Sequence, residues 1–103
     1  MRSAKVYNFG IYAGDFFEEE KGKQYRFRYC DEYSGPPVSL TLPVEQKEYE
    51  FNSFPAFFDG LLPEGVQLDA LLRKAKIDRN DNFSILLLTG KDLVGSVTVE
   101  GGE

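Results

Sequence analysis

Phe57-Phe58-Asp59-Gly60-Leu61-Leu62-Pro63-Glu64-Gly65 is the stretch on which the reading of this chain turns. An aromatic pair, a glycine, a leucine pair and a Pro-Glu-Gly step follow one another, as they do where one short helix stops and another starts. Pro63 lacks an N–H and has a preset φ, so it suits the first turn of a helix, and Gly60 can take the left-handed conformation that closes the helix before it. Beyond the joint, Leu61, Leu68, Leu72 and Ala75 recur at helical spacing with Leu71 beside them. Gln67, Asp69, Arg73, Lys74 and Lys76 fall on the opposite side. The spacing predicts an amphipathic helix from about Pro63 to Lys76, with Leu68 and Leu72 facing a sheet and Asp69 paired with Arg73 one turn on.

Upstream of the joint, Ser53 is placed to cap a short helix that has Pro55 in its first turn and runs to Gly60. The residues before it read as strands. Ala4–Asn8 and Ile11–Glu18 form a hairpin around Phe9-Gly10, and Gly14 suggests a bulge or a close backbone approach. Glu18–Lys23 is a charged turn with a glycine, expected to be solvated. In Tyr25-Arg26-Phe27-Arg28-Tyr29 the strict alternation fits a half-buried strand, rings inward and arginines outward, better than a base-stacking platform. Val38, Leu40 and Leu42 alternate with Ser39 and Thr41 as a fourth strand would, ended by Pro43. Glu48-Tyr49-Glu50-Phe51 reads as a short edge strand with two outward glutamates.

Downstream, Asp78–Asn82 is a turn and Phe83–Leu88 is apolar on nearly every side. It is read as a buried helix capped by Asn80 or Asp81 and terminated by Gly90. Leu93–Val99 is a last strand, and Gly101–Glu103 a frayed tail. Strands followed by helices make the class α+β. The expected architecture is a small curled antiparallel sheet or partial barrel with two or three short helices in the C-terminal half, one domain over residues 1–103.

At 103 residues, with 42% apolar and 15% aromatic content, the chain has material for one packed core. Twelve basic against seventeen acidic residues give a net charge of −5, which argues against nucleic acid as a direct partner. Cys30 is the lone cysteine, so there is no internal disulfide and no cysteine-cluster metal site, and a cytoplasmic location is expected. The N-terminus has no apolar core of signal-peptide length and no run approaches a membrane span.

The chain contains no histidine, which removes Ser-His and Cys-His pairs and histidine metal ligands together. Glu18–Glu20, Asp31 with Glu32, and Glu48 with Glu50 are the candidate carboxylate pairs, each in a turn or on an outward strand face where solvated surface is the simpler reading. Gly90-Lys91 is not a phosphate loop, since Ile85 stands where its first glycine belongs and Asp92 where Ser or Thr would hold magnesium. Asp78-Arg79-Asn80-Asp81-Asn82 lacks the central glycine and distal glutamate of a calcium loop. No catalytic residue, cofactor or metal is therefore assigned.

Four blocks in order carry a resemblance: Gly35-Pro36-Pro37-Val38-Ser39-Leu40-Thr41-Leu42-Pro43, the phenylalanine-rich turn leading into Leu61-Leu62-Pro63-Glu64, Asn82-Phe83-Ser84-Ile85-Leu86-Leu87-Leu88, and Thr89-Gly90-Lys91-Asp92-Leu93-Val94-Gly95-Ser96-Val97. Together they resemble the N-terminal segment of HipA-type toxin kinases, and among these the small stand-alone HipS-type antitoxins of three-component HipBST systems. No Gly-rich loop, catalytic Asp with downstream Asn, or metal-binding DFG-type motif is present. The resemblance implies an antitoxin that neutralises a separate HipA- or HipT-like serine/threonine kinase, with a HipB-like helix-turn-helix repressor as third component. The alternative it admits is the non-catalytic N-terminal scaffold of a longer kinase. An enzyme working through carboxylates is the remaining class. The recognition surface is expected at Pro63, Glu64, Gly65, Val66 and Gln67, where the helix start offers N–H groups, a carboxylate and an exposed valine.

Overall fold

The computed structural model describes residues 1–93 and 95–101. Strands β1 (Arg2–Asn8), β2 (Ile11–Glu20), β3 (Gln24–Tyr29) and β4 (Glu48–Phe51) form an antiparallel meander, and β5 (Val97–Gly101) returns beside β1. The sheet is open, in the order β4-β3-β2-β1-β5. Helices α1 (Ala56–Asp59), α2 (Gly65–Ala75) and α3 (Asn82–Thr89) all lie between β4 and β5 in the chain. This is the α+β arrangement read from the sequence.

Period-two alternation decides which sheet face is buried. Ala4 and Val6 of β1, Phe16 of β2, Tyr25, Phe27 and Tyr29 of β3, and Val97 and Val99 of β5 point to one side. There Phe58 of α1 stacks on Phe16 with ring centroids 4.1 Å apart, and Phe83 of α3 stacks on the same ring at 5.3 Å. The arginines of β3 point away as expected, and Arg26 pairs with Glu19 at 2.9 Å and Glu48 at 2.5 Å. Gly14 meets both halves of its expectation. The register slips so that Val6 faces Gly14 and Tyr7 faces Tyr12, leaving Ala13 as the bulged residue. A Cβ on Gly14 would also overlap the Arg28 carbonyl.

The fourth strand expected over Val38–Leu42 does not form. Leu42 N–H returns to the Ser39 carbonyl at 3.0 Å and Thr41 N–H to Ser39 Oγ at 3.2 Å, so the segment satisfies itself as turns. Tyr29 clasps it from the core, its hydroxyl accepting from Val38 N–H at 3.0 Å and donating to the Leu42 carbonyl. Val38 and Leu42 are consequently buried and Leu40 is 93% exposed.

Glu18, expected in solvent, is buried on the inward face of β2 two residues from Phe16. Arg2 meets it at 2.6 Å, Tyr25 Oη donates to it at 3.0 Å, and Gly22 N–H at 3.2 Å. Arg2 also reaches Asp81 at 2.8 Å and donates to Ser84 Oγ at 2.7 Å, while lying 5.0 Å over the Phe83 ring. Asp81 is the α3 cap, accepting from Ser84 N–H at 3.2 Å.

The helix joint differs from its sequence reading in several places. Ser53 does not cap α1, whose N-cap position is Pro55. Gly60 is right-handed, φ −65°. Leu61 and Leu62 donate back to Phe58 and Asp59, so the turn runs on past Gly60 and needs no left-handed residue there. The left-handed positions are Gly65, φ 63°, and Lys76, φ 57°, which begin and close α2. Pro63 precedes α2, and Asp69 pairs with Arg79 in place of Arg73. Leu68 and Leu72 are only partly buried and do not join the core; none of the residues of α2 is fully buried.

Gly90 is also right-handed and leads into a 3₁₀ turn, Gly90–Asp92. Its lack of a Cβ serves contact with β5, where a side chain would overlap the Val99 carbonyl. The last strand starts at Val97, later than Leu93. Val94 within that expected strand, and Gly102 and Glu103 of the expected frayed tail, lie outside the described residues.

Candidate functional site

The candidate recognition segment is one exposed corner. Glu64 occupies the N-cap position of α2 in an extended conformation, φ −133° and ψ 165°, and its side chain makes no cap hydrogen bond. Glu64, Gly65 and Gln67 are exposed, Val66 is 82% exposed, and Pro63 is half-buried. An unused carboxylate and an uncovered valine therefore stand side by side at the positive end of a helix. Two depressions flank them. Glu64 lines a small one with Asp59, Leu68 and Arg79, while Pro63 and Gln67 open onto a larger one.

The larger depression is a groove of about 660 Å³ between α2 and the α3–3₁₀ junction. Leu61, Leu62, Leu71 and Ala75 line one side and Leu88 and Leu93 the other. Lys74 is the charged side chain among its described lining residues. Leu88 is 47% exposed although it belongs to the most apolar helix of the chain. Sequence reasoning missed this groove because it turned the leucine face of α2, Leu68 and Leu72, onto the sheet. A signal was present in the all-round apolarity of Phe83–Leu88, which exceeds what one sheet face can cover.

The carboxylate pairs do not make an acid–base site. Glu18 is bound to Arg2, Glu19 and Glu48 share Arg26, and Asp31 lies 3.8 Å from Arg28. Burial, followed by the hydrogen bond to Glu18, pushes the Tyr25 hydroxyl up to about 12, keeping it a donor. Among the described residues no group of three or more acidic or cysteine side chains is placed to hold a metal ion. No helix of the described residues is long and apolar enough to cross a membrane.

The sequence model of the HipA N-terminal domain matches residues 4–100. The chain belongs to the HipA N-terminal domain family. A solved structure titled as the N-terminal domain of HipA toxin superposes with a TM-score of 0.78 at 30% identity, covering 100% of this chain and 94% of that one. An uncharacterized protein of Haemophilus influenzae is 32% identical over 100 residues, which is 97% of this chain and 92% of the relative. A Sinorhizobium fredii protein named "Putative kinase Y4dM" is 33% identical over 81 residues, 73% of this chain but 20% of the relative. The HipA N-terminal domain thus occurs in these relatives both as nearly a whole protein and as one fifth of a longer one.

Proposed function

We propose that this chain is an antitoxin that binds a separate HipA-like serine/threonine kinase toxin and neutralises it, itself performing no catalysis. The observation that carries the reading is membership in the HipA N-terminal domain family over residues 4–100, a stretch that holds no Gly-rich phosphate loop, catalytic Asp with downstream Asn, or DFG-type motif. The Haemophilus influenzae relative, covered over 92% of its length, supports a stand-alone role for such a domain. Pro63, Glu64, Gly65, Val66 and Gln67 form the contact with the kinase, since Glu64–Gln67 are exposed on a folded mount beside the half-buried Pro63 and the Glu64 side chain makes no cap hydrogen bond. The complex is cytoplasmic, and a HipB-like helix-turn-helix repressor completes it.

The scaffold reading retains one supporting observation, the Sinorhizobium fredii relative in which the matching segment is 20% of a protein named as a kinase. Under it the chain supports a kinase and does not restrain one. Co-expression with the adjacent reading frames separates the two. Growth arrested by the kinase gene alone and restored by this chain is the antitoxin result. Arrest that requires this chain, or a native frame continuing through Glu103 into a kinase, is the scaffold result and overturns the proposal.

A further inference from the structure

We infer that the groove between α2 and the α3–3₁₀ junction is the seat of an amphipathic helix from the kinase body, presenting apolar side chains to Leu71 and Leu88 and a carboxylate to Lys74. This rests on the proposed function for the identity of the partner and adds how that partner is held. Three observations converge on it. First, α2 is amphipathic and none of its residues is fully buried: Leu68, Leu71 and Leu72 are only partly covered by the described chain, and Leu71 still borders an open groove. A helix laid in the groove would meet Gln67, Leu71, Lys74 and Ala75 of α2, spaced four, three and one apart on one side of that helix, a surface by which helices recognise helices in grooves.

Second, the groove selects by charge. Its walls are leucine and alanine, while Lys74 stands at its margin as the one charged side chain among the described lining residues, with Arg73 beside it in the last turn of α2. An acidic residue on the incoming helix is attracted there and a basic one repelled. The rest of this acidic chain, net −5, would disfavour an acidic partner elsewhere, which confines the encounter to this end. Third, in the Sinorhizobium fredii relative four fifths of the protein lies outside the matching segment. A domain so attached packs against the remainder, and a half-exposed leucine groove is the kind of surface such packing covers. Pro63 and Gln67 line the same groove, so it is continuous with the recognition segment.

The test uses the full chain and a purified, catalytically inactive HipA-like kinase from the adjacent reading frames, should they encode one, with binding followed by calorimetry; adjacent frames that encode no such kinase overturn the proposed function and the seat together. Leu71→Asp is expected to weaken binding by roughly 100-fold and Lys74→Glu by about tenfold, the latter with loss of salt sensitivity. Both positions lie outside the core, and an unchanged melting curve is required of each variant. Leu40→Asp, 93% exposed in the loop after β3, is expected to bind like the wild type. With benzoylphenylalanine in place of Ala75, photo-cross-linking should capture a kinase peptide having apolar residues three and four apart and an Asp or Glu among them. If the wild-type chain does not bind the kinase, the proposed function fails and the seat fails with it. Should the wild type bind while both groove variants bind equally well, or should the cross-link join two copies of this chain or a kinase segment without that pattern, the seat alone is overturned.

Discussion

Arg2 touches three parts of the fold at once: Glu18 of β2 at 2.6 Å, the Asp81 cap of α3 at 2.8 Å and the face of Phe83 at 5.0 Å. Its side chain is one-third exposed, whereas Glu18 is 4% exposed, so the pair is asymmetric. Removing the arginine strands the buried carboxylate, and Arg2→Met is expected to cost about 3–5 kcal/mol in denaturant unfolding. A loss below about 1 kcal/mol would mean that water replaces the guanidinium freely. Asp81 carries the pH dependence of the same cluster. Burial acts to raise its pKa, but hydrogen bonds from Arg2 and Ser84 outweigh it and hold the carboxyl at about 2, below its ordinary 3.8. A group depressed in the folded state adds stability above its unfolded pKa and loses it as pH falls through the folded one. Asp81 should therefore contribute about 2 kcal/mol at neutral pH, disappearing between roughly pH 4 and pH 2. Unfolding free energies measured across that interval should fall less steeply for Asp81→Asn than for the wild type.

At the scale of elements, α1 and α2 reverse what their lengths suggest. The four residues of α1 place Phe58 wholly in the core against Phe16, while none of the eleven of α2 is fully buried. Phe58→Ala should accordingly cost about 3–5 kcal/mol, and Leu72→Ala only about 1–2 kcal/mol because its side chain is partly exposed and outside the core cluster. Equal losses at the two positions, measured by the same denaturant titration, would place α2 in the core after all. The contrast explains how far the sequence could be read. β1 to β3, the β4 edge and the Asp81-capped α3 were legible because period-two alternation and capping residues act locally. Val38–Leu42 was not, since a turn that brings positions 38 and 42 to one side also alternates, and the Tyr29 hydroxyl that secures it comes from nine residues away. The apolar stripe of α2 was legible as a face made for burial, but periodicity does not say against what. Val66 is exposed at the start of α2, as a helix start was read to present it. The Leu88–Leu93 wall of the groove was hidden, because only the docking of α3 on the sheet brings it opposite α2.

At the scale of the whole molecule, the division of labour is between a covered sheet face that supplies stability and an exposed helix end that bears none. Val66 is 82% exposed and the Glu64 side chain makes no hydrogen bond to the helix it begins, so neither supports the fold. An aspartate at position 66 would even suit the positive end of the α2 dipole. Glu64→Lys combined with Val66→Asp should therefore move the melting temperature by no more than about 2 °C. Partner binding is a different matter. Under the proposed function, a kinase that binds nucleotide phosphates would offer positive potential near its active site, which Glu64 and the net charge of −5 would meet favourably, chiefly in the association rate. Reversing Glu64 and putting a charge in place of the Val66 contact should slow association and weaken the complex by roughly 100-fold, abolishing growth rescue in cells. Association kinetics at two salt concentrations check the mechanism, because the loss in rate should shrink as salt rises. Rescue that persists with the folded double variant would move the contact to another surface, with the outward face of β4 around Glu48 and Glu50 next to be tested.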